Sequence, residues 1–453
     1  MIFNNFNDEY KYFIEKHLLP ILGISKNNNI IPCNEDNFNT SVSIKDNYIY
    51  FATHSKKAIY KLYYPKGLTK DALNLSINIS QVFLNTSTFT PQKSGKKIKF
   101  SDAQIQNNQL YAVQKGLCNW ILGRENASVE KLFDILNKWS VKTYEGKKVT
   151  FGFIINPNVV SCFDNVFGDW LDYLQEDFSA TLTDSIHSVI ELDKNCNFNN
   201  YLSLTENNII NSLSINNFLP IRFCGIVQNY VKDNKIGVFL LTSGDIILSK
   251  NQRICFVKRN LCWLNFSYES FVNSCSMFVS QYLINDKLVE NIYASMLDVS
   301  FSHTGGIIAV VTDIKELTNG SNSILDACDD LTNNYTLEKL SEKLLNKEEK
   351  TKRLLKRKIL NTLSRKKQFI DIDRKLRSEL ISMDGACIID TKGQVCAFGA
   401  IIQNDKGSSG GGRGAAAKKL SKYGMAIKIS TDGYIEIYIN ESLKYSIKWI
   451  INE

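Results

Sequence analysis

The sequence predicts an α/β protein of the α+β kind, in which a C-terminal mixed sheet flanked by helices follows N-terminal α/β modules and a β-hairpin region. Three patterns carry this expectation. Apolar residues recur at helical spacing through Tyr12, Ile14, Leu18 and Leu22, and again through Val129, Leu132, Phe133, Leu136 and Trp139, with strand-like runs between and after them. From about Pro220 the pattern changes to short β runs separated by turn residues. From about residue 285 helical stretches and buried strands are interspersed, as in a sheet covered by helices.

Taken in order, residues 9–22 read as the first helix, and Val42–Tyr50 and Ala58–Tyr64 as strands. The second helix pattern leads into a strand over Lys148–Ile155, stopped by Asn156-Pro157. The Asn-rich patches Lys26–Asn39 and Asp193–Asn200 read as loops, and much of the Asn as coding bias rather than function. Ile221–Val227, Ile236–Leu241, Asp245–Leu248 and Arg253–Val257 read as short β runs, with Lys232-Asp233-Asn234 and Ser243-Gly244-Asp245 as turns and Trp263 at the close. A helix through Leu288, Ile292, Met296 and Leu297 precedes the buried strand Gly305–Val311 and a loop at Asn319-Gly320. A helical stretch from about Thr336 to Ser382 follows, then strands over Gly385–Asp390, Gln394–Ile402, Met425–Ser430 and Tyr434–Ile439, the last two joined across Thr431-Asp432-Gly433. This suggests three parts: 1–150, 151–270, and 275–447 with a basic helical insertion over 336–382.

At 453 residues the chain has material for roughly two to four domains. A 44% hydrophobic and 22% charged composition excludes a disordered or collagen-like chain. The longest apolar runs fall short of the roughly 18 residues of a membrane span, and Met1–Phe13 lacks the basic start and apolar stretch of a secretion signal. Eleven Cys occur singly with no C-x-x-C pair, and His17, His54, His187 and His303 lie far apart, so neither a disulfide framework nor a zinc site is expected. Buried thiols in a cytoplasmic protein are the expectation.

Two stretches could carry chemistry. Lys406–Ser421 is a Gly-rich loop running into a helix. Gly410, Gly411, Gly412 and Gly414 allow close backbone approach, the helix start offers amide donors to phosphate, and Arg413 can add a bidentate grip. Ala415 and Ala416 keep the first turn thin, and Lys418 and Lys419 add positive potential. No G-K-[ST] follows the glycines, so this is not a Walker A loop, and a flexible linker reads equally well. In the second stretch, Asp384-Gly385-Ala386 opens a strand. Asp384 there can hold a divalent metal or a ribose hydroxyl, or simply cap the preceding helix.

The order and spacing of these stretches resemble the diadenylate cyclase (DAC) domain family, the DisA N-terminal-like fold that joins two ATP into cyclic di-AMP. That family has Asp-Gly-Ala opening a central strand, Gly-x-Arg-His-Arg-x-Ala opening a helix, and a strand ending in Ser-Glu-Glu-x-Gly. This chain carries Asp384-Gly385-Ala386, Gly411-Gly412-Arg413-Gly414-Ala415-Ala416 and Ser430-Thr431-Asp432-Gly433. The resemblance covers roughly residues 285–440 and implies a DAC-like mixed sheet.

It also implies roles. Asp384 would be the metal and ribose residue, with Mg or Mn present only if a nucleotide triphosphate is bound, and Arg413 the first phosphate Arg. Gly385, Ala386, Gly411, Gly412, Gly414, Ala415, Ala416 and Ser430 would line the nucleotide, and only Asp432 could stand for the acidic pair. Gly414 replaces the family's His and Ala415 its second Arg, which removes groups that stabilise charge in phosphoryl transfer. The chain thus looks like the divergent branch proposed to be sensors. The expected function is sensing of an adenine nucleotide or cyclic dinucleotide, as a homo-oligomer, without nucleic acid or membrane. The alternatives are an active diadenylate cyclase and a non-catalytic scaffold.

The net charge of +8 is local. Residues 346–377 hold 13 Lys or Arg against Glu348, Glu349, Asp371 and Asp373, so that stretch carries +9 and the remainder −1. A solvated helix face and an electrostatic surface for phosphates are the two readings, and the scarcity of aromatics argues against base stacking.

Overall fold

Left-handed two-residue turns shape much of this chain, as a computed structural model shows. It describes residues 6–24, 30–53, 55, 57–64, 68–86, 102–123, 126–161, 169–205, 216–318, 323–326, 329–332, 347–364, 367–403 and 411–447. Asp46-Asn47, Asn251-Gln252 and Asn440-Glu441 each place both residues at positive φ between antiparallel strands. Such turns match the twist of a hairpin, and Asn tolerates the left-handed region better than most residues. Six of the non-glycine residues at positive φ are Asn (37, 47, 234, 251, 260 and 440), so part of the Asn content has a conformational role.

The described residues divide into two compact units. The first draws on Met1–Asn216 and Arg222–Ser270. Helix α1 (Phe6–Phe13) continues through a π-type turn (Ile14–Leu18) and a helical turn (Leu19–Leu22), ended by Gly23 at φ 70°. Strands β1 (Ile31–Glu35), β2 (Val42–Lys45), β3 (Tyr48–Ala52) and β4 (Ala58–Tyr63) form an antiparallel sheet of order β1-β4-β3-β2. Helices α2 (Lys70–Thr86) and α3 (Asp102–Leu122) touch so closely that a Cβ on Gly116 would lie 2.5 Å from Ile79 Cα. Helix α4 (Ala127–Val141) starts at Asn126, whose side chain accepts from the Ser128 and Val129 amides.

A small hairpin, β5 (Thr143–Tyr144) and β6 (Lys147–Lys148), leads to β7 (Phe151–Ile155). With β8 (Ser188–Leu192), β9 (Phe198–Ser203), β10 (Ile236–Leu240), β11 (Ile246–Lys250), β12 (Arg253–Arg259) and β13 (Cys262–Asn265), β7 forms a seven-stranded sheet of order β13-β12-β11-β10-β7-β8-β9. Only the β7–β8 pair in it is parallel. One core cluster includes residues from Tyr10 to Trp263. Position 150 therefore falls inside the first unit, because residues on both sides of it share that core.

The second unit draws on Asn217–Ile221 and Phe271–Lys448. Helix α5 (Cys224–Tyr230) belongs to the first unit, and α6 (Tyr268–Gln281) carries the chain across. Helix α7 (Asp286–Ser302) is buried along most of its length. Strand β14 (Gly306–Val311), helices α8 (Lys347–Ser364) and α9 (Arg374–Ile381), strands β15 (Ala386–Asp390) and β16 (Val395–Ala400), helix α10 (Gly411–Leu420) and strands β17 (Gly424–Ile429), β18 (Ile435–Ile439) and β19 (Ser442–Ile447) complete it. The sheet order is β16-β15-β14-β17-β18-β19, mixed because β14 and β15 run parallel. The α+β class thus holds.

Several expected elements differ. Val42–Tyr50 is a hairpin, not one strand, because Asp46-Asn47 turns the chain. Ile221–Val227 begins with a 3-10 turn and enters α5; a short β-branched run does not distinguish strand from buried helix. The insertion holds two described helices, α8 and α9, with a 3-10 turn at Phe369–Asp371 between them. The loop at Asn319-Gly320, the start of the helical stretch over 336–346, and residues 404–410 lie outside the described residues. No helix among the described residues is long and apolar enough to cross a membrane.

Candidate functional site

Topology brings the sequence-selected residues to one end of the six-stranded sheet. Parallel pairing of Ile308 with Cys387 means that β14 and β15 start at the same end. Antiparallel pairing of Gly306 with Ile429 brings the end of β17 there too. Gly305, Asp384-Gly385, and the turn from Ser430 to Gly433 therefore share this end.

Local chemistry makes the junctions tight. His303 takes a left-handed conformation to end α7, and its Nδ1 lies 3.1 Å from the Thr431 carbonyl oxygen. Ser300 donates to the Gly433 carbonyl. Gly305 (φ 72°) turns the chain into β14, where a Cβ on Gly306 would lie 2.7 Å from the Ile381 carbonyl oxygen at the end of α9. Thr304 and Ser382 share a hydroxyl hydrogen bond of 2.7 Å. Gly385 (φ 109°) passes so close to Gly399 that a Cβ would lie 2.4 Å from its carbonyl carbon.

Arg413 arrives from the first turn of α10. A Cβ on Gly305 would lie 2.5 Å from its Nη1 and 3.1 Å from the Thr431 amide nitrogen, so the guanidinium rests against the backbone that opens β14. Residues 304 and 305 thereby connect Arg413 to the segment that leads into Asp384. Asp384 and Asp432 are exposed. Among the described residues, leaving aside its chain neighbours and the helix's own backbone, no atom lies within 4 Å of a Cβ position on Gly412. Ala416 packs into the core while Ala415 is half-buried. The Ser430 hydroxyl accepts from the Tyr434 amide at 3.1 Å, so it serves the β17–β18 turn.

Lys428 was not foreseen. It projects from β17 to 3.6 Å from the Cβ position of Gly414, and pairs with Glu436 at 2.7 Å. The Tyr438 hydroxyl donates to the same carboxylate at 3.2 Å. Burial, followed by the Glu436 charge, pushes the Tyr438 hydroxyl up to about 12. A lone cation inside the apolar run Met425–Ile429 was the available signal.

Part of the basic stretch is committed to the fold. Lys356 donates to the Gly399 carbonyl at 2.5 Å and lies 3.4 Å from Asp329, while Arg353 pairs with Asp326 at 2.6 Å. Arg374 is buried and grips Asp298 through two bonds of 2.7 and 2.9 Å. Arg377 is buried over the Phe369 ring and donates to Ser295 and the Phe369 carbonyl. Burial, with Arg374 nearby, lowers its guanidinium to about 10. Arg374 and Arg377 therefore add nothing to an exposed phosphate-attracting surface. Arg365 and Lys366 lie outside the described residues.

The expected metal site reduces to one exposed carboxylate. Among the described residues no group of three or more His, Cys, Asp or Glu is placed to hold a metal ion. A divalent cation at Asp384 would need bound phosphates to supply further oxygens, so Mg or Mn fits there only alongside a nucleotide triphosphate. Nine cysteines among the described residues are free, seven of them buried.

Comparison with protein-family models and with curated proteins finds no match to this chain.

Proposed function

We propose that the C-terminal unit binds an adenine nucleotide or cyclic dinucleotide and acts as a sensor, with the phosphates at Arg413 and the start of α10. The observation that carries the proposal is the placement of the Arg413 guanidinium against Gly305 and the Thr431 amide, at the sheet end where Asp384-Gly385 opens β15. A planar guanidinium suits bidentate phosphate binding, and among the described residues nothing outside the helix's own chain packs on Gly412 beside it. Asp384 would meet the ribose. Binding without transfer is the better reading, because positions 414 and 415 carry no cation and Lys428 is engaged by Glu436.

Extraction of nucleotide from the purified chain, followed by titration with ATP and with cyclic di-AMP, tests this. Binding of one of them that weakens about tenfold or more in Arg413→Ala is expected. Incubation with ATP and Mg or Mn should yield no cyclic di-AMP. Product that disappears in Asp384→Asn would make the protein a cyclase. No bound or titratable nucleotide would leave a scaffold role.

A further inference from the structure

The strand that Asp384-Gly385 opens has a bulged partner. Ala386 pairs with Ala400 but Ile388 with Ala397, so β16 carries one extra residue at this point. Gly399 lies in that bulge at φ 57°, the left-handed backbone by which a bulge re-aims its strand. The Gly399 peptide is the surface on which the Asp384-Gly385 backbone rests. Its carbonyl oxygen lies 2.6 Å from a Cβ position on Gly385, and the Asp384 carbonyl oxygen lies 3.1 Å from a Cβ position on Gly399. The orientation of this peptide therefore sets the course of the chain at Asp384.

Lys356 of α8 holds the peptide in place. Its ammonium donates to the Gly399 carbonyl at 2.5 Å, and its Cε and Nζ each lie 3.5 Å from the Gly399 Cβ position. Asp329 secures the other side. One of its carboxylate oxygens lies 3.4 Å from Lys356 Nζ, and the other accepts from the Ile401 amide at 3.3 Å. Lys356, Asp329 and the backbone of 399–401 thus form a closed clamp on the end of β16. A cation on a solvated helix face keeps its rotamer freedom, whereas this one is fixed by two partners. Without the ammonium the Gly399 peptide could turn, since glycine is as free at negative φ as at positive.

We propose that Lys356 is a positioning residue for the nucleotide site. It fixes the Gly399 bulge, and through that bulge the aim of the Asp384 carboxylate at the ribose. This inference rests on the nucleotide reading above. It adds that the basic insertion serves the site through one backbone carbonyl, independently of the Arg413 end.

The test is a ratio of affinities measured on the full chain by calorimetric titration. ATP is compared with 2′,3′-dideoxy-ATP, and cyclic di-AMP with its 2′-deoxy form; inorganic triphosphate reads the Arg413 end alone. Wild type should bind the parent of one pair about tenfold or more tighter than its deoxy form, as expected for a hydroxyl bonded to a carboxylate. Lys356→Met should bring that ratio close to one, as Asp384→Ala should, with triphosphate affinity unchanged. Lys356→Arg keeps a cationic donor and should retain the preference. A merely structural role would weaken both members of a pair alike and leave their ratio intact. Lys356→Gln gives the same reading should Lys356→Met fail to fold.

A ribose preference that Asp384→Ala abolishes but Lys356→Met and Lys356→Gln retain would overturn this inference alone. So would a parent nucleotide bound with no preference over its deoxy form, or a preference that survives in Asp384→Ala. Binding of neither parent would overturn the nucleotide reading, and this inference with it.

Discussion

The guanidinium of Arg413 lies against the backbone of Gly305, 2.5 Å from where a Cβ would be. Gly305 also holds φ 72°, which an L residue adopts at a cost of about 1–2 kcal/mol. In Gly305→Ala the flexible arginine head would yield before the backbone does. The variant should lose about 1–2 kcal/mol in urea titration, and nucleotide affinity should fall because Arg413 is displaced. Reduced stability with unchanged affinity would show that Arg413 does not grip the ligand.

Gly385 and Gly399 allow no comparable escape. A Cβ on Gly385 would meet the carbonyl carbon, carbonyl oxygen and following amide nitrogen of the Gly399 peptide at 2.4–2.7 Å, so backbone must move. Gly385→Ala should destabilise by about 3 kcal/mol or more through overpacking and positive-φ strain. Differential urea unfolding of wild type and variant measures it. A loss below about 1 kcal/mol would mean that β15 and β16 separate easily at this point.

Asp298 and Arg374 join α7 to α9, the helix whose chain leads into Asp384. Both side chains are almost fully buried, and Asp298 also accepts from the Ile221 amide at 2.8 Å. Arg374→Met leaves a buried carboxylate without its cation and should cost about 3–5 kcal/mol. Asp298→Leu/Arg374→Met removes both charges and should be less destabilised than Arg374→Met alone. A double-mutant cycle decides: a double variant at least as unstable as Arg374→Met would show that the pair's value lies in shape rather than charge.

How far the sequence disclosed this structure depends on what each buried face is made of. Phe151–Ile155 and Gly306–Val311 are buried throughout, so their continuous apolar runs announced strands. Helix α2 was missed because its buried face includes Ser76 and Ser80, which interrupt the apolar stripe. Helix α3 was missed for a related reason, since it buries Gln109 and uses Gly116 to approach Ile79. The hairpin into β19 depends on Asn440-Glu441, a pair without the glycine that usually marks such a turn. At the candidate site the glycines and Arg413 were legible as motif residues. The role of Lys428 was not, because it depends on a pairing between strands. Ser430 illustrates the converse, a motif position whose hydroxyl bonds within its own turn.

His17 yields a prediction for the first unit that needs no ligand. It sits in the π-type turn Ile14–Leu18, fully within the core, with its ring 5.2 Å from that of Phe13. Burial, with the Lys16 charge adding to it, lowers its imidazole to about 3 against an ordinary value near 6.5. The folded state therefore holds this side chain neutral where the unfolded chain would protonate it. Between pH 6.5 and about 3 the unfolded state binds the extra proton, so stability is retained above pH 6.5 and falls on acidification through that window. One proton corresponds to about 1.4 kcal/mol per pH unit. Urea midpoints at pH 7, 6, 5 and 4 should show wild type losing stability more steeply than His17→Gln, by about one proton's worth between pH 6 and 4. Parallel curves would mean that His17 takes up its proton inside the fold.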